Sequence, residues 1–208
     1  MIRLVAIIAS PVEGSSTELL VRRMAESFIE AVGGPDQVRP MFVDLNKLKY
    51  IPCQACGEAP REGWCLFEDD LTPVFTELAV ADAVIIGSPV YFDSVSGQAK
   101  TFIDRCNCFR PPDWQDRDRE HDFVKLLLRK RPGAMVLAGG ERGWFEGARR
   151  VIAGWFRWIE VVNEGELVYQ TPDYRRKGTA AADPEALDEA DRIGSLLARR
   201  AMEARSQP

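Results

Sequence analysis

The sequence predicts an α/β sandwich of three layers, an open sheet of five parallel strands in the order 2-1-3-4-5 with helices on both faces. Two observations predict it. Short β-branched apolar runs alternate with amphipathic segments along the 208 residues, and parallel strands need such crossover segments between them. The third run, Ala83 to Ile86, is continuously apolar, which marks a strand buried on both faces.

Strands are expected at 2–9, 38–44, 83–88, 133–138 and 159–163, with an extension at 166–169. Helices are expected at 17–31, 72–81, 96–106, 145–158 and 184–204. The first strand runs into Ser10-Pro11-Val12-Glu13-Gly14-Ser15-Ser16-Thr17. The helix behind it carries Leu19, Leu20, Met24, Ile29 and Val32 on or near one face. Four hydroxyl side chains crowd this helix N-terminus, more than one cap needs, and unpaired N–H groups with the helix dipole favour an anion there. A phosphate is the expected occupant.

The third strand stops at Gly87-Ser88-Pro89, and Ser96 is the expected N-cap of the next helix. Between them lies the aromatic and hydroxyl-bearing loop Tyr91 to Ser94, a flat apolar wall suited to a planar ring. Gly133 opens the fourth strand and Gly139-Gly140 closes it. In the expected order, the carboxyl ends of strands one and three form the ligand crevice. A phosphate seat therefore faces an apolar wall, as a mononucleotide with a large ring requires, and FMN fits. Two segments break the rhythm: 45–70 holds three cysteines, and 107–121 is a polar insertion expected to form a lid or subunit contact.

The formal charge of −5 and the lack of a basic aromatic stripe argue against a nucleic-acid partner. Arg129-Lys130-Arg131 and Arg175-Arg176-Lys177 are expected to be solvated helix ends and turns. No apolar run reaches membrane-spanning length, and a cytoplasmic protein of one domain, 1–208, is expected. A dinucleotide-binding Rossmann loop needs three glycines where only Gly14 stands, although Asp44 closes strand two in place of the ribose-binding acid. The triphosphatase Gly-Lys-Ser/Thr loop is absent. A receiver domain needs carboxylates where Ser10 and Ser88 stand. The sole histidine, His121, falls in the polar insertion, away from any triad.

These loops closely resemble the NADPH-dependent FMN reductase family of flavodoxin-like proteins, and the subgroup containing the iron–sulfur flavoproteins most of all. Ser10-Pro11 with Gly14 to Thr17 resembles its phosphate loop. Gly87-Ser88-Pro89-Val90-Tyr91-Phe92, Ser94-Val95-Ser96-Gly97-Gln98 and Lys100 to Arg105 resemble its most specific signature, and Gly139-Gly140 its third flavin loop. The resemblance implies FMN phosphate on Ser10, Ser16, Thr17 and the amides around Gly14 and Ser15. It places the isoalloxazine against Pro89, Val90, Tyr91, Phe92 and Ser94, near Gly139 and Gly140. The family often carries an arginine where Val12 stands, so another cation, such as Arg142, is needed to replace a charge-assisted hydrogen bond worth about 1.5–3 kcal/mol.

Cys53-Gln54-Ala55-Cys56 through Cys65 resembles the subgroup's cluster motif, but Ala59 stands in place of its third cysteine. A [4Fe–4S] cluster needs four thiolates, so no metal is expected, with a redox disulfide or a zinc site on three thiolates as alternatives. The expected activity is reduction of free flavin, a quinone or a similar small-molecule acceptor by NADPH or NADH through FMN, in a homodimer or homotetramer. No obligatory catalytic side chain is expected, because the cofactor carries the electrons. Arg142 and Arg105 are candidate partners for the dinucleotide phosphates, with a helix-end structural role the alternative for Arg105. The rival functions are a flavodoxin-like electron carrier without NAD(P)H turnover and an interaction module that has lost FMN.

Overall fold

The computed structural model describes residues 1–56, 64–109, 130–140 and 143–206. Its sheet contains five parallel strands: β1 (Ile2–Ile8), β2 (Val38–Asp44), β3 (Ala83–Tyr91), β5 (Arg131–Gly139) and β6 (Val161–Gln170). A two-residue strand, β4 (Ser94–Val95), folds back antiparallel on the end of β3. The spatial order is β2-β1-β3-β5-β6. Setting β4 aside, this is the predicted 2-1-3-4-5 arrangement. The helices are α1 (Ser16–Val32), α2 (Thr72–Val80), α3 (Gly97–Arg105), α4 (Glu146–Trp158) and α5 (Pro184–Ser206).

Side chains along the central strands alternate between two buried layers, as a period of two requires. Val5, Ile7, Val84, Ile86, Met135 and Leu137 face α2, α3 and α4, where Phe75, Phe102 and Trp155 fill the layer. Leu4, Ala6, Ile8, Ile85, Ala134 and Val136 face α1 and α5, against Met24, Phe28, Ile193 and Leu197. Burial on both sides explains why these strands read as continuous apolar runs.

The strands depart from expectation in three places, each for reasons of pairing. β5 opens at Arg131, two residues before Gly133, because Arg131 and Pro132 pair with Val161 and Val162. β3 continues three residues past Ser88 because Val90 and Tyr91 find partners in Val95 and Ser94. The expected aromatic loop is therefore a hairpin whose two turn residues, Phe92 and Asp93, have φ of 50° and 56°. Such a turn follows the strand twist and favours Asn, Asp or Gly, so Phe92 occupies a costly backbone conformation. β6 is one strand rather than a strand with an extension. A register shift opposite Gly133 and Ala134 absorbs the extra residue at Glu164, as a β-bulge does.

Gly87 sets how closely α1 approaches the sheet. A Cβ there would lie 2.3 Å from Val21 Cγ2 and 3.0 Å from Thr17 Cγ2. The strand ends are then tied together. Ser96 donates to the carbonyl of Ala9 at 2.6 Å, and Ser88 accepts from the Ser96 N–H at 2.9 Å. These bonds hold the carboxyl ends of β1 and β3 side by side, where the crevice is expected. Ala59, His121, Arg142 and residues 110–121 of the polar insertion lie outside the described residues.

Candidate functional site

Three loops and one turn enclose a cavity of about 350 Å³ at the carboxyl ends of the strands, within the range of small-molecule and cofactor sites. From the first loop it is lined by Ser10, Ser15, Ser16 and Thr17, with Val12 at its edge. Pro89, Val90 and Tyr91 form a second wall, and Gly139 and Gly140 a third. Nine of the twelve sequence-predicted site residues thus converge. Gly14, Phe92 and Ser94 are outside the lining. Phe92 projects fully into solvent, and Ser94 is drawn away by pairing with Tyr91.

The first loop is built to present donors. Ser15 caps α1 by accepting from the Glu18 N–H at 3.2 Å. Glu18 reaches back to the Gly14 N–H at 2.9 Å, a capping arrangement that leaves the next amides free. No hydrogen bond to the backbone N–H of Ser15, Ser16 or Thr17 is made among the described residues. The buried Thr17 lines the cavity. Ser10 closes on its own loop instead, accepting from the Val12 N–H and donating to the Val12 carbonyl, both at 3.2 Å.

The sequence reading missed a fourth wall. Tyr169 and Thr171 at the end of β6, and Tyr174 to Gly178 in the turn beyond it, line the same cavity. Arg175-Arg176-Lys177 do form a solvated turn, as expected, but the turn folds over the first loop. Lys177 donates to the Glu13 carbonyl at 3.3 Å. A Cβ on Gly178 would lie 2.8 Å from the Gly14 carbonyl oxygen. The available signal was a run of three cations followed by glycine at the carboxyl edge of the last strand.

Hydroxyls join the turn to the loop. Ala180 N–H donates to Ser16 Oγ at 3.2 Å, and Ser16 Oγ lies 3.3 Å from Thr179 Oγ1. Tyr169 donates to Thr179 at 2.9 Å, and Thr171 lies 2.9 Å from the same oxygen. No carboxylate or histidine lines the cavity among the described residues. Cations, hydroxyls and free amides gather at one end, and Pro89, Val90 and Tyr91 provide the apolar side. This is the donor set that a phosphorylated planar ring needs, so the residues present fit FMN.

Arg105 is not at this site. It is 1% exposed, which decides between its two expected roles in favour of the structural one. Its guanidinium donates to Asp69 at 2.6 Å, Ile51 carbonyl at 2.7 Å, Phe67 carbonyl at 3.2 Å and Cys65 Sγ at 3.4 Å. Burial pushes its pKa down, but the bond to Asp69 and the neighbouring Cys65 outweigh that and raise it. Burial also drives the Cys106 thiol well up and the Cys108 thiol up to about 12. Among the described residues, no three His, Cys, Asp or Glu side chains are grouped so as to hold a metal ion. None of the described helices is long and apolar enough to cross a membrane.

A doubly wound sheet with an anion seat and an apolar wall at its switch point defines a mononucleotide-binding α/β protein. The sequence profile of the NADPH-dependent FMN reductase family matches residues 2–166. The chain belongs to that family, whose cofactor is FMN. One iron–sulfur flavoprotein of Methanocaldococcus jannaschii is 29% identical over 67% of this chain and 63% of its own length. A second from the same organism is 35% identical over 62% of this chain and 57% of its own. The matches therefore span less than two thirds of either relative. The solved structure of an NADH:FMN oxidoreductase in its apo form is similar in fold, with a TM-score of 0.64. It shares 14% identity, over the whole of this chain and 92% of that one.

Proposed function

We propose that this flavin-binding oxidoreductase holds FMN in the cavity at the ends of β1, β3, β5 and β6 and uses NADPH or NADH to reduce a small-molecule acceptor. The observation that carries the reading is the division of the cavity wall into a donor-rich end and an apolar side. Free flavin, a quinone or a similar compound is the acceptor class, and the cytoplasm is the expected site of action. Bound FMN supplies a ring that takes a hydride from the nicotinamide and passes the electrons on.

The chain's own residues bind and orient. The amides of Ser15 to Thr17 and the Thr17 hydroxyl seat the phosphate. Pro89, Val90 and Tyr91 flank the ring and keep water from that face. Gly140 presents backbone with open space where a side chain would stand, which would leave room for the nicotinamide at the near-contact distance hydride transfer requires. Gly139 instead lets the Phe145 ring pack against the strand end. No carboxylate or histidine is needed there, because hydride transfer moves no proton from the protein. Phe92, Trp144 and Tyr174 stand exposed on the segments bordering this mouth, and they support a homodimer or homotetramer.

Stopped-flow mixing of FMN-loaded protein with NADPH and with NADH, without oxygen, tests the reading. At least one donor is expected to bleach the flavin absorbance rapidly. If neither does while dithionite does, an electron carrier without its own NAD(P)H turnover replaces the reductase.

A further inference from the structure

In the cationic turn after β6, the Asp173 carboxylate accepts from the Arg175 backbone N–H at 2.9 Å rather than from a cationic side chain. Among the described residues, neither the side chains of Arg175 and Arg176 nor that of Lys177 form an ion pair with an acid. All three line the cavity, in a chain whose net charge is −5. Unpaired cations focused on a concave site favour an anionic ligand. Lys177 is the one that reaches the phosphate loop. Its Nζ donates to the Glu13 carbonyl at 3.3 Å and lies 3.8 Å from the Cβ position of Gly14. Val12, 44% exposed at the same edge, contributes no charge.

We propose that Lys177 supplies the positive charge of the phosphate seat and thereby makes the cavity select FMN over riboflavin. This rests on the FMN reading above. The loop amides offer directed donors, whereas an ammonium on a flexible stem offers a point charge that follows the phosphate oxygens. Gly178 holds it in place. With φ of 67° and its Cβ position 2.8 Å from the Gly14 carbonyl, it lets the turn lie against the loop and brings Lys177 to it. The chain thus assembles its anion site from two segments more than 160 residues apart.

The test compares FMN and riboflavin binding, by flavin fluorescence at low and high salt, in the full chain and in Lys177→Gln and Lys177→Arg. Lys177→Gln is expected to weaken FMN about tenfold, about 1.4 kcal/mol, and to leave riboflavin unchanged. It is also expected to flatten the salt dependence of FMN binding, because one charge contact is lost. Lys177→Arg should restore most of the preference. If the wild-type chain prefers FMN and Lys177→Gln keeps that preference, Lys177 is not the counter-charge and the FMN reading stands. Equal weakening of both flavins likewise overturns the charge role. If the wild-type chain binds neither flavin, or binds riboflavin as tightly as FMN, the phosphate seat itself falls and the proposal with it.

Discussion

Proton counting at Ser16 shows what its hydroxyl does. Thr171 donates its only proton to the Asp173 carbonyl at 3.2 Å, so its contact with Thr179 takes a proton from Thr179. Thr179 already accepts from Tyr169, and its remaining lone pair accepts from Ser16. Ser16 therefore brackets the two loops rather than offering a free donor to a phosphate. Its replacement by alanine is expected to weaken FMN and riboflavin alike, whereas Thr17→Ala should weaken FMN alone by roughly 1 kcal/mol; equilibrium titration with both flavins separates the two. Glu18 supports the same loop. Burial pushes its carboxyl up, but the Gly14 N–H and Arg22 outweigh it and hold the pKa below the ordinary value. A lowered native pKa stabilises fully above the unfolded pKa and is lost as pH falls through the native one. The stability gap between wild type and Glu18→Gln should thus be about 0.5–1.5 kcal/mol at pH 7 and vanish below the native carboxyl pKa. Denaturant melts across that range measure it, and a gap that survives acid would remove Glu18 from this role.

Elements differ in how much of them local sequence could reveal. The central strands and amphipathic helices were legible because their periods and flanking caps, such as Ser15 and Ser96, are local features. The hairpin at Phe92 and Asp93 was not, since nothing in the composition Tyr-Phe-Asp-Ser announces two left-handed residues. The 174–178 turn was legible as a turn and illegible as a wall, because its contact with Glu13 and Gly14 is set by where β6 ends beside β5. That contact makes a prediction at this scale. Gly178→Ala places a methyl against the Gly14 carbonyl and a side chain in the left-handed region, at a cost of about 1–2 kcal/mol. It should loosen the whole cavity and weaken FMN and riboflavin together, in contrast to Lys177→Gln. The short turn after α3 behaves differently. Cys106 and Cys108 are buried with raised pKa values, so few of their thiols ionise at pH 8. Iodoacetamide followed by mass spectrometry should find Cys56, which is exposed, modified first and these two unmodified in the native protein. Labelling of Cys108 as fast as Cys56 would contradict its burial.

At the scale of the molecule, two buried layers hold the sheet while the candidate site lies at its carboxyl edge. The cysteine-containing segment starts beside that edge, where Asn46 donates to the Pro11 carbonyl at 3.3 Å. The two Methanocaldococcus jannaschii relatives are iron–sulfur flavoproteins, yet this chain's motif lacks one of the four thiolates such a cluster needs. Ala59 stands at the third position of the motif. Cys65 accepts a hydrogen bond from Arg105, whose charge is already committed to Asp69. Drawing in Cys106 would require extracting a thiol from the core layer that Phe75, Phe102 and Trp155 occupy. Cys108 lies near Cys65 and Cys53, but no three His, Cys, Asp or Glu side chains among the described residues are grouped so as to hold a metal. The Arg105 pair takes the structural place in this segment instead. Truncating Arg105 to alanine leaves Asp69 without its closest cationic partner, which for a buried pair costs about 3–5 kcal/mol, and denaturant unfolding should show that loss. We therefore predict that the protein, purified without oxygen, carries flavin absorbance but no iron–sulfur cluster. Iron and acid-labile sulfide should both be far below stoichiometric, since a stable [4Fe–4S] centre needs all four thiolates. About four irons and four sulfides per chain would show that a ligand from outside the motif completes the cluster, and the argument from Ala59 would fail.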